Sequence, residues 1–153
     1  MNQKNDTRAV QPSRSAFAPS GEVGAIAVTY VAGQSYAVRV RGHELTVDQP
    51  PESGGADGGP TPVELFVASL AACVAYYAGR FLQRHHLPYD QLRVRAHFEM
   101  AEDRPARVAA IRMQVQTPGV LDATRREGLR AVASHCTVHN SLREPPAVSV
   151  ELK

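Results

Sequence analysis

The stretch GGADGGPTPVELFVASLAACVAYY, residues 54–77, decides the fold that this sequence predicts. A glycine-rich loop passes abruptly into a smooth apolar segment with one cysteine, Cys73, in its middle. The other cysteine of the 153-residue chain is Cys136. Free cysteine is among the most buried residue types, so both can be inert core residues. Two cysteines that form no disulfide framework can equally carry redox chemistry.

The start of the apolar segment has the signals of a helix N-terminus. Thr61 is placed to be the N-cap, Pro62 occupies the first helical position, and Glu64 lies three residues after Thr61. This is the pattern of a capping box with proline at its preferred site. No breaker follows until the proline of HHLPYD, so the pattern predicts a helix from Pro62 to about Arg84.

The segment before the helix, from Glu22 to Asp48, has the pattern of three strands. It is rich in Val, Tyr and Thr, and Gly33-Gln34 and Gly42-His43 supply turns. Apolar and polar positions alternate in the middle strand, which predicts one buried face and one face that carries two guanidinium groups. The first set is Tyr36, Val38 and Val40, and the second is Ala37, Arg39 and Arg41.

Two further strands, a helix and a last strand are predicted after residue 90. QLRVRAHFEMAE and RVAAIRMQVQ alternate as strands, with a turn at 103–105 between them. Asp122 or Thr124 can cap a second helix, and Cys136 closes its apolar stripe. After the short segment TVHNSLREPP, AVSVELK is predicted as the final strand. The order β-β-β-α-β-β-α-β indicates an α+β domain with antiparallel sheets.

Composition excludes several function classes. A net charge of +2 gives no case for nucleic acid as a partner. We find no apolar run that approaches the roughly 18 residues of a membrane span, so no membrane is expected. The polar N-terminus lacks the core of a signal peptide, which favours a cytoplasmic protein. Residues 1–21 are predicted to be a flexible tail and residues 22–153 the folded domain.

Two motifs resemble the signatures of one protein family. GGPTPVELFVASLAAC, residues 58–73, is similar to the first signature of the OsmC/Ohr family, the osmotically inducible and organic hydroperoxide resistance proteins. HCTVHNSL, residues 135–142, resembles the second signature, and the separation of the two cysteines also fits. The resemblance covers roughly residues 23–153.

The resemblance implies an OsmC-like fold, in which antiparallel sheets wrap around two long central helices of an intertwined homodimer. It implies a thiol-dependent peroxidase that reduces organic hydroperoxides in oxidative-stress defence. Cys73 would then be the peroxidatic thiol and Cys136 the resolving thiol. An external dithiol, often a lipoyl group, would reduce the pair, and no bound cofactor or metal is expected.

The thiolate needs a source of positive charge. Apolar neighbours of Cys73 are expected to raise its pKa, so Arg39 or Arg41 is the candidate activator. In the peroxidases an arginine early in the chain does this, held by a glutamate at the start of the helix. This sequence has Val63 at the glutamate position and departs near Gln34 at the arginine position.

Glu64, one residue after Val63, is the available substitute for the glutamate. Nine helical residues put it about 13–14 Å from Cys73 along the axis and half a turn out of phase. It could meet the thiol only through the partner subunit or a bent helix start, and its place in the capping box is a sufficient role.

Two other readings stay open at this stage. A relative that has lost thiolate activation would be a non-catalytic dimer that binds a small apolar ligand in an interfacial pocket. Cys136 and His139 have the C-x-x-H spacing of zinc ligands, with His135 adjacent. A second short-spaced pair of ligands is missing, so a metal site is not expected.

Overall fold

The computed structural model describes residues 24–152. Contacts divide the chain into two compact units, the first ending at Thr61 and the second beginning at Pro62. The predicted tail, residues 1–21, lies outside the described residues, and so does its boundary with the domain.

The first unit is a three-stranded antiparallel meander, as the sequence predicted. Its strands, in spatial order, are β1 (Ile26–Ala32), β2 (Ser35–Val40) and β3 (His43–Val47). Gly33 supplies the first turn at φ +55°. The prediction that Arg41 stands on a strand face was wrong. Arg41 lies in the second turn at φ +55°, because β2 ends at Val40 and the chain reverses within two residues.

One face of this sheet is apolar yet exposed. Ile26, Val28 and Tyr30 of β1 keep 62%, 60% and 61% of their surface accessible. The antiparallel register pairs Tyr30 with Tyr36, whose rings meet edge to face at 5.8 Å. Tyr36, at 40% exposed, does not have the burial that the alternation predicted. The face therefore has the composition of a packed surface without the cover of one.

A single carboxylate organises the loop that leads to the first helix. Asp48 is 1% exposed. Its Oδ1 accepts from the amide of Gln49 at 2.8 Å, and Oδ2 accepts from the amides of Ala56 at 3.1 Å and Gly58 at 3.0 Å. The amide of Gly58, more than the other donors, holds the pKa of Asp48 below its usual range. The Asp48 carboxylate thus holds together the start and the end of the loop between residues 49 and 58.

The second unit is built on one long helix. Its elements are α1 (Pro62–Arg84), β4 (Arg93–Met100), β5 (Val108–Gln116), α2 (Ala123–Ala133) and α3 (Thr137–Arg143). Helix α1 begins at Pro62 and ends at Arg84, which confirms the predicted bounds. Its buried residues recur every three or four positions: Val67, Leu70, Val74, Ala78 and Leu82. That spacing puts them on one face, which packs against β4, β5, α2 and α3.

By length and composition alone, α1 is apolar enough to cross a membrane. The expectation that no apolar run approaches the length of a membrane span was therefore wrong for α1. The core helices of soluble proteins pass the same test; 28% of the apolar window of α1 is buried, and its buried residues lie on one face.

Strands β4 and β5 form the predicted antiparallel pair. Their register places Val94 opposite Val115, Ala96 opposite Met113, and Phe98 opposite Ile111. Val94, Ile111, Met113 and Val115 pack on a buried cluster made of Leu70, Val74 and Cys136. The apolar side chains of the predicted alternation thus face the core, next to both cysteines.

The C-terminal part differs from the prediction in two respects. Helix α2 is capped by Asp122, whose Oδ1 accepts from the amide of Arg125 at 2.8 Å, but it ends at Ala133. Cys136 therefore does not close its stripe. TVHNSLR forms α3 instead, and the described residues 144–152 contain no strand. Val148, Val150 and Leu152 are 83–97% exposed, so no neighbour within the described chain pairs with this segment. The α+β class is confirmed.

Candidate functional site

The two cysteines meet at the contact between α1 and α3. Cys73 is half-buried on α1, Cys136 is fully buried, and both are free thiols. Cys73 packs on the cluster of Leu70, Val74 and Cys136, so the two cysteine side chains are neighbours. The sequence brought these residues together only through the family resemblance. In the structure, two unrelated elements place them side by side.

The backbone around Cys136 is held by several local hydrogen bonds. Cys136 is the N-cap residue of α3, with extended φ and ψ of −68° and 156°. Its carbonyl accepts from the amide of Asn140 at 2.9 Å, and Asn140 Nδ2 donates to the carbonyl of His135 at 3.2 Å. Thr137 Oγ1 lies 3.0 Å from the hydroxyl of Tyr77 on α1. The thiol thus lies at a chain turn fixed to both helices.

Burial raises the pKa of the Cys136 thiol. The adjacent Cys73 raises it further, because a proton on Cys136 can be donated to the Cys73 sulfur. The backbone amides of His139 and Val138 lower the pKa, but burial is the largest contribution. The surroundings of Cys136 therefore favour its protonated form.

Two cavities share a wall residue each, Val74 and Leu70, with the cluster on which Cys73 packs, although neither cysteine lines them. The larger has a volume of about 620 Å³ and lies among α1, β5 and α2. Its apolar wall includes Val74, the neighbour of Cys73, and its polar side chains include Arg126 and Arg130. The smaller cavity, about 320 Å³, lies between the start of α1, β5 and α3. Volumes of about 300–1,000 Å³ are typical of small-molecule sites.

His139 lines both cavities. Its Nδ1 is buried and has no hydrogen-bond partner. Buried polar atoms are nearly always paired, so this unpaired nitrogen is an exception to the usual pattern. His135 is different, since its Nδ1 lies 2.7 Å from the carbonyl oxygen of Ala131. Within residues 24–152, no three His, Cys, Asp or Glu side chains gather as metal ligands.

The other predicted site residues are Arg39, Arg41 and Glu64. Within the second unit, Glu64 makes no contact with the cysteines, and the two arginines belong to the first unit. Arg39 forms a salt bridge with Glu44 on the neighbouring strand, and Arg41 lies in the following turn. Both belong to the first unit, so their role at Cys73 stays a prediction. Glu64 is exposed in the first turn of α1, where its charge complements the helix dipole. The unbroken helix keeps it about 13–14 Å along the axis from Cys73.

Sequence reasoning missed three residues that shape this region, Tyr77, Arg126 and Arg130, and considered a fourth, His139, in another role. Tyr77 stands one turn after Cys73 and so shares its helix face, which was a usable signal. Arg126 and Arg130 share a face of α2 for the same reason, but no pattern showed that a cavity would open beside them. His139 was noticed as a possible metal ligand because of its spacing from Cys136. The structure shows that it lines the two cavities instead, which its spacing could not reveal.

The sequence profile described as OsmC-like protein matches residues 54–151. A search of curated proteins found no significant match. Solved structures resemble the chain at low identity. An osmotic stress induced and detoxification response protein from Psychrobacter arcticus matches with a TM-score of 0.71 and 22% identity, over 76% of this chain and 85% of that one.

Two hydroperoxide resistance proteins also match. The organic hydroperoxide resistance protein OsmC from Legionella pneumophila has a TM-score of 0.61 and 19% identity, over 80% of this chain and 91% of that one. OhrB of Bacillus subtilis has a TM-score of 0.57 and 19% identity, over 84% and 98%. At these identities the likeness establishes the fold.

Proposed function

This chain belongs to the OsmC-like protein family, and from that premise we propose that it is a thiol-dependent peroxidase of organic hydroperoxides. The observation that carries the proposal is the packing of Cys73 on α1 against the buried Cys136 at the start of α3. Two structural relatives that are named organic hydroperoxide resistance proteins support the same reaction class. The protein would act in defence against oxidative stress.

The reaction has three steps. The Cys73 thiolate attacks the terminal oxygen of the hydroperoxide, the O–O bond breaks, and the alkoxide leaves as an alcohol after it takes a proton. Cys73 is then a sulfenic acid. The Cys136 sulfur attacks the Cys73 sulfur and releases water, which forms the disulfide. An external dithiol, such as a lipoyl group, reduces this disulfide by two exchanges and is itself oxidised.

The order of the two thiols follows from their burial. Cys73 is the more accessible, so a hydroperoxide can reach it first. Cys136 is fully buried with a raised pKa, so its S–H can donate to a Cys73 thiolate and stabilise it. After Cys73 is oxidised, Cys136 loses that proton and attacks. This assignment makes Cys73 peroxidatic and Cys136 resolving.

The protein would act as a homodimer. Helix α1 buries one face, while Phe66 and Tyr76 elsewhere on it are 38% and 59% exposed. The exposed apolar face of β1 and the unpaired C-terminal segment add to this uncovered surface. A second copy that covers these surfaces would explain all three. It would also offer the route by which Glu64 of the partner subunit could approach a thiol.

The test is a stopped-flow titration of the reduced protein with cumene hydroperoxide, in which free thiols are counted before and after. We expect wild type to lose both thiols for each hydroperoxide consumed. Cys73→Ser should lose none, and Cys136→Ser should form sulfenic acid and then proceed to sulfinic acid in excess hydroperoxide. If Cys73 stays reduced in excess hydroperoxide, the peroxidase proposal fails.

The cavity of about 620 Å³ favours a second candidate, a non-catalytic dimer that binds a small apolar ligand. The two candidates differ in one readout. A binding protein would keep both thiols through the titration, whereas its ligand would still raise the melting temperature.

A further inference from the structure

We propose that Tyr77 is a positioning residue of the cysteine pair: its hydroxyl, through Thr137, holds Cys136 where it can capture an oxidised Cys73. As a role in the reaction this rests on the proposed peroxidase function. As a constraint on disulfide formation it stands on the contacts around the two cysteines. Tyr77 acts through Thr137 and Cys136, and not on the hydroperoxide itself.

The place of Cys136 depends on how the start of α3 is held. Helix α2 ends at Ala133 and α3 begins at Thr137, so Cys136 lies in the short connection between them. Helix α3 has only seven residues, and a helix of that length is not stable by itself. Contacts with the rest of the second unit therefore decide where its first residues lie.

Tyr77 is held at its ring and hydrogen-bonded at its tip. The ring packs on the buried cluster that includes Cys136, and it meets the ring of Tyr76 edge to face at 5.6 Å. The hydroxyl lies 3.0 Å from Oγ1 of Thr137. Tyr77 also shares a face of α1 with Cys73, four residues before it. One anchored side chain thus joins the face of Cys73 to the residue that follows Cys136.

The later part of α3 is less closely packed. A cavity of about 320 Å³ lies between this part, the start of α1 and β5. Leu142 and Phe66 line it and are 41% and 38% exposed. Side chains that face a void lose packing contacts on that side. The start of α3 is better held, because Val138 packs on the cysteine cluster and Thr137 meets Tyr77.

Disulfide formation is sensitive to this support, because the bond requires Cα atoms about 4.4–6.8 Å apart and a narrow range of dihedral angles. In the proposed reaction the Cys136 sulfur attacks the sulfenic acid of Cys73. The S–O bond breaks, and the hydroxide leaves as water with the proton of Cys136. In competition, a second hydroperoxide transfers an oxygen atom to the Cys73 sulfur and leaves as an alcohol, which gives sulfinic acid. A hydrogen bond that keeps Cys136 in place favours the disulfide.

The constraint is measured first without any hydroperoxide. The full-length protein is equilibrated in glutathione buffers, and the fraction of intramolecular disulfide gives the effective concentration of the two thiols. Tyr77→Phe keeps the ring and should lower this concentration about threefold, the effect of one exposed hydrogen bond. Thr137→Val should do the same, whereas Thr137→Ser keeps a hydroxyl and should match wild type. Tyr76→Phe is the matched control, because its hydroxyl bonds within α1.

The role in the reaction is measured with cumene hydroperoxide. Reduced protein is mixed with increasing amounts, and disulfide and sulfinic acid are quantified by mass spectrometry. In Tyr77→Phe, the hydroperoxide concentration that converts half of Cys73 to sulfinic acid should fall about threefold. The rate of the first oxidation of Cys73 should stay unchanged, because the position of Cys136 matters only after the sulfenic acid has formed.

The two measurements separate this inference from the proposed function. An effective concentration that is equal in wild type and Tyr77→Phe would overturn the positioning role. An equal slowing of both oxidation steps, or an equal shift in Tyr76→Phe, would overturn it as well. A lowered effective concentration in a protein whose Cys73 does not react with hydroperoxide would overturn the peroxidase proposal and keep the constraint.

Discussion

The hydroxyl of Tyr77 lies 3.0 Å from Oγ1 of Thr137, and this pair joins the two segments that carry the cysteines. Tyr77 follows Cys73 by one helical turn, and Thr137 follows Cys136 directly. This hydrogen bond therefore acts as a brace, because it joins α1 to the start of α3 next to the place where the cysteines pack. A movement of α3 relative to α1 would therefore disturb this bond and the packing of the cysteines together.

Removing this brace should destabilise the protein and loosen the thiol pair. For Tyr77→Phe we expect a loss of about 0.5–1.5 kcal/mol in the free energy of unfolding, near the lower end because the bond is exposed. Thr137→Val should cost a similar amount, and the double variant less than the sum. Urea unfolding of the reduced protein measures this. Tyr76→Phe is the control, since its hydroxyl contacts only the neighbouring Arg80 on α1. Strict additivity would show that the two hydroxyls do not interact.

The raised pKa of Cys136 should make stability fall at alkaline pH. The folded state holds the thiol proton more tightly than the unfolded state does, so this contribution is complete below the ordinary thiol pKa of about 8.5. It is lost as the pH rises through the folded value. Urea midpoints of the reduced protein between about pH 7 and about pH 10 measure the trend. Cys136→Ala should decline less steeply than wild type, and parallel curves would contradict the prediction.

The lowered pKa of Asp48 should make stability fall at acidic pH. The carboxylate is stabilised by its amide donors only when ionised, so its contribution is present above the ordinary aspartate pKa and is lost as the pH falls through the lowered value. Asp48→Asn should lower the melting temperature at neutral pH and flatten the acid side of the stability curve. Asp57→Asn, in the same loop at φ +55°, is the control. Equal behaviour of the two variants would remove Asp48 from its organising role.

One of two arginines is expected to activate Cys73. Replacing Arg39 or Arg41 by Met keeps an unbranched apolar stem and removes the guanidinium charge. If one guanidinium stabilises the thiolate, its variant should slow hydroperoxide oxidation of Cys73 about tenfold or more, and the other variant should match wild type. Arg39 is paired with Glu44, so Glu44→Gln should change the rate only if Arg39 is the activator. Unchanged rates in all three variants would assign activation elsewhere.

The N-terminal tail should be dispensable. Residues 1–21 contain few apolar side chains to offset the entropy of ordering them. A chain that begins at Gly21 should keep its melting temperature and its sedimentation coefficient for a dimer. A drop of several degrees would show that the tail packs on the domain.

The elements that could be predicted are those whose signals are local. The proline and capping residues fixed the start of α1 at Pro62, and strict alternation fixed the β4–β5 pair. Asp122 was correctly offered as the cap of α2. These signals need only a few neighbouring residues, and no distant part of the chain had to be known.

The errors lie where distant parts of the chain decide. Cys136 fits an i, i+7 stripe with Leu129, yet α2 ends three residues before it, and packing against α1 gives the cysteine a place at a new helix. The alternation of Val148 and Val150 is that of a strand, but a strand needs a pairing edge that the sequence does not specify. Arg126 and Arg130 line a cavity that no local pattern in the sequence predicted.

The close backbone packing of the loop between β3 and α1 limits which mutations it tolerates. A Cβ on Gly55 would lie 1.8 Å from the carbonyl oxygen of Gln49, and one on Gly59 would lie 2.2 Å from that of Thr46. Both obstacles are backbone atoms, which cannot rotate away. Random mutagenesis with selection for folding should therefore recover almost no substitutions at these two glycines. At Gly42, where a Cβ meets nothing within 4 Å, it should recover many. The loop would thus drift in sequence at its exposed positions while its path through space stays the same.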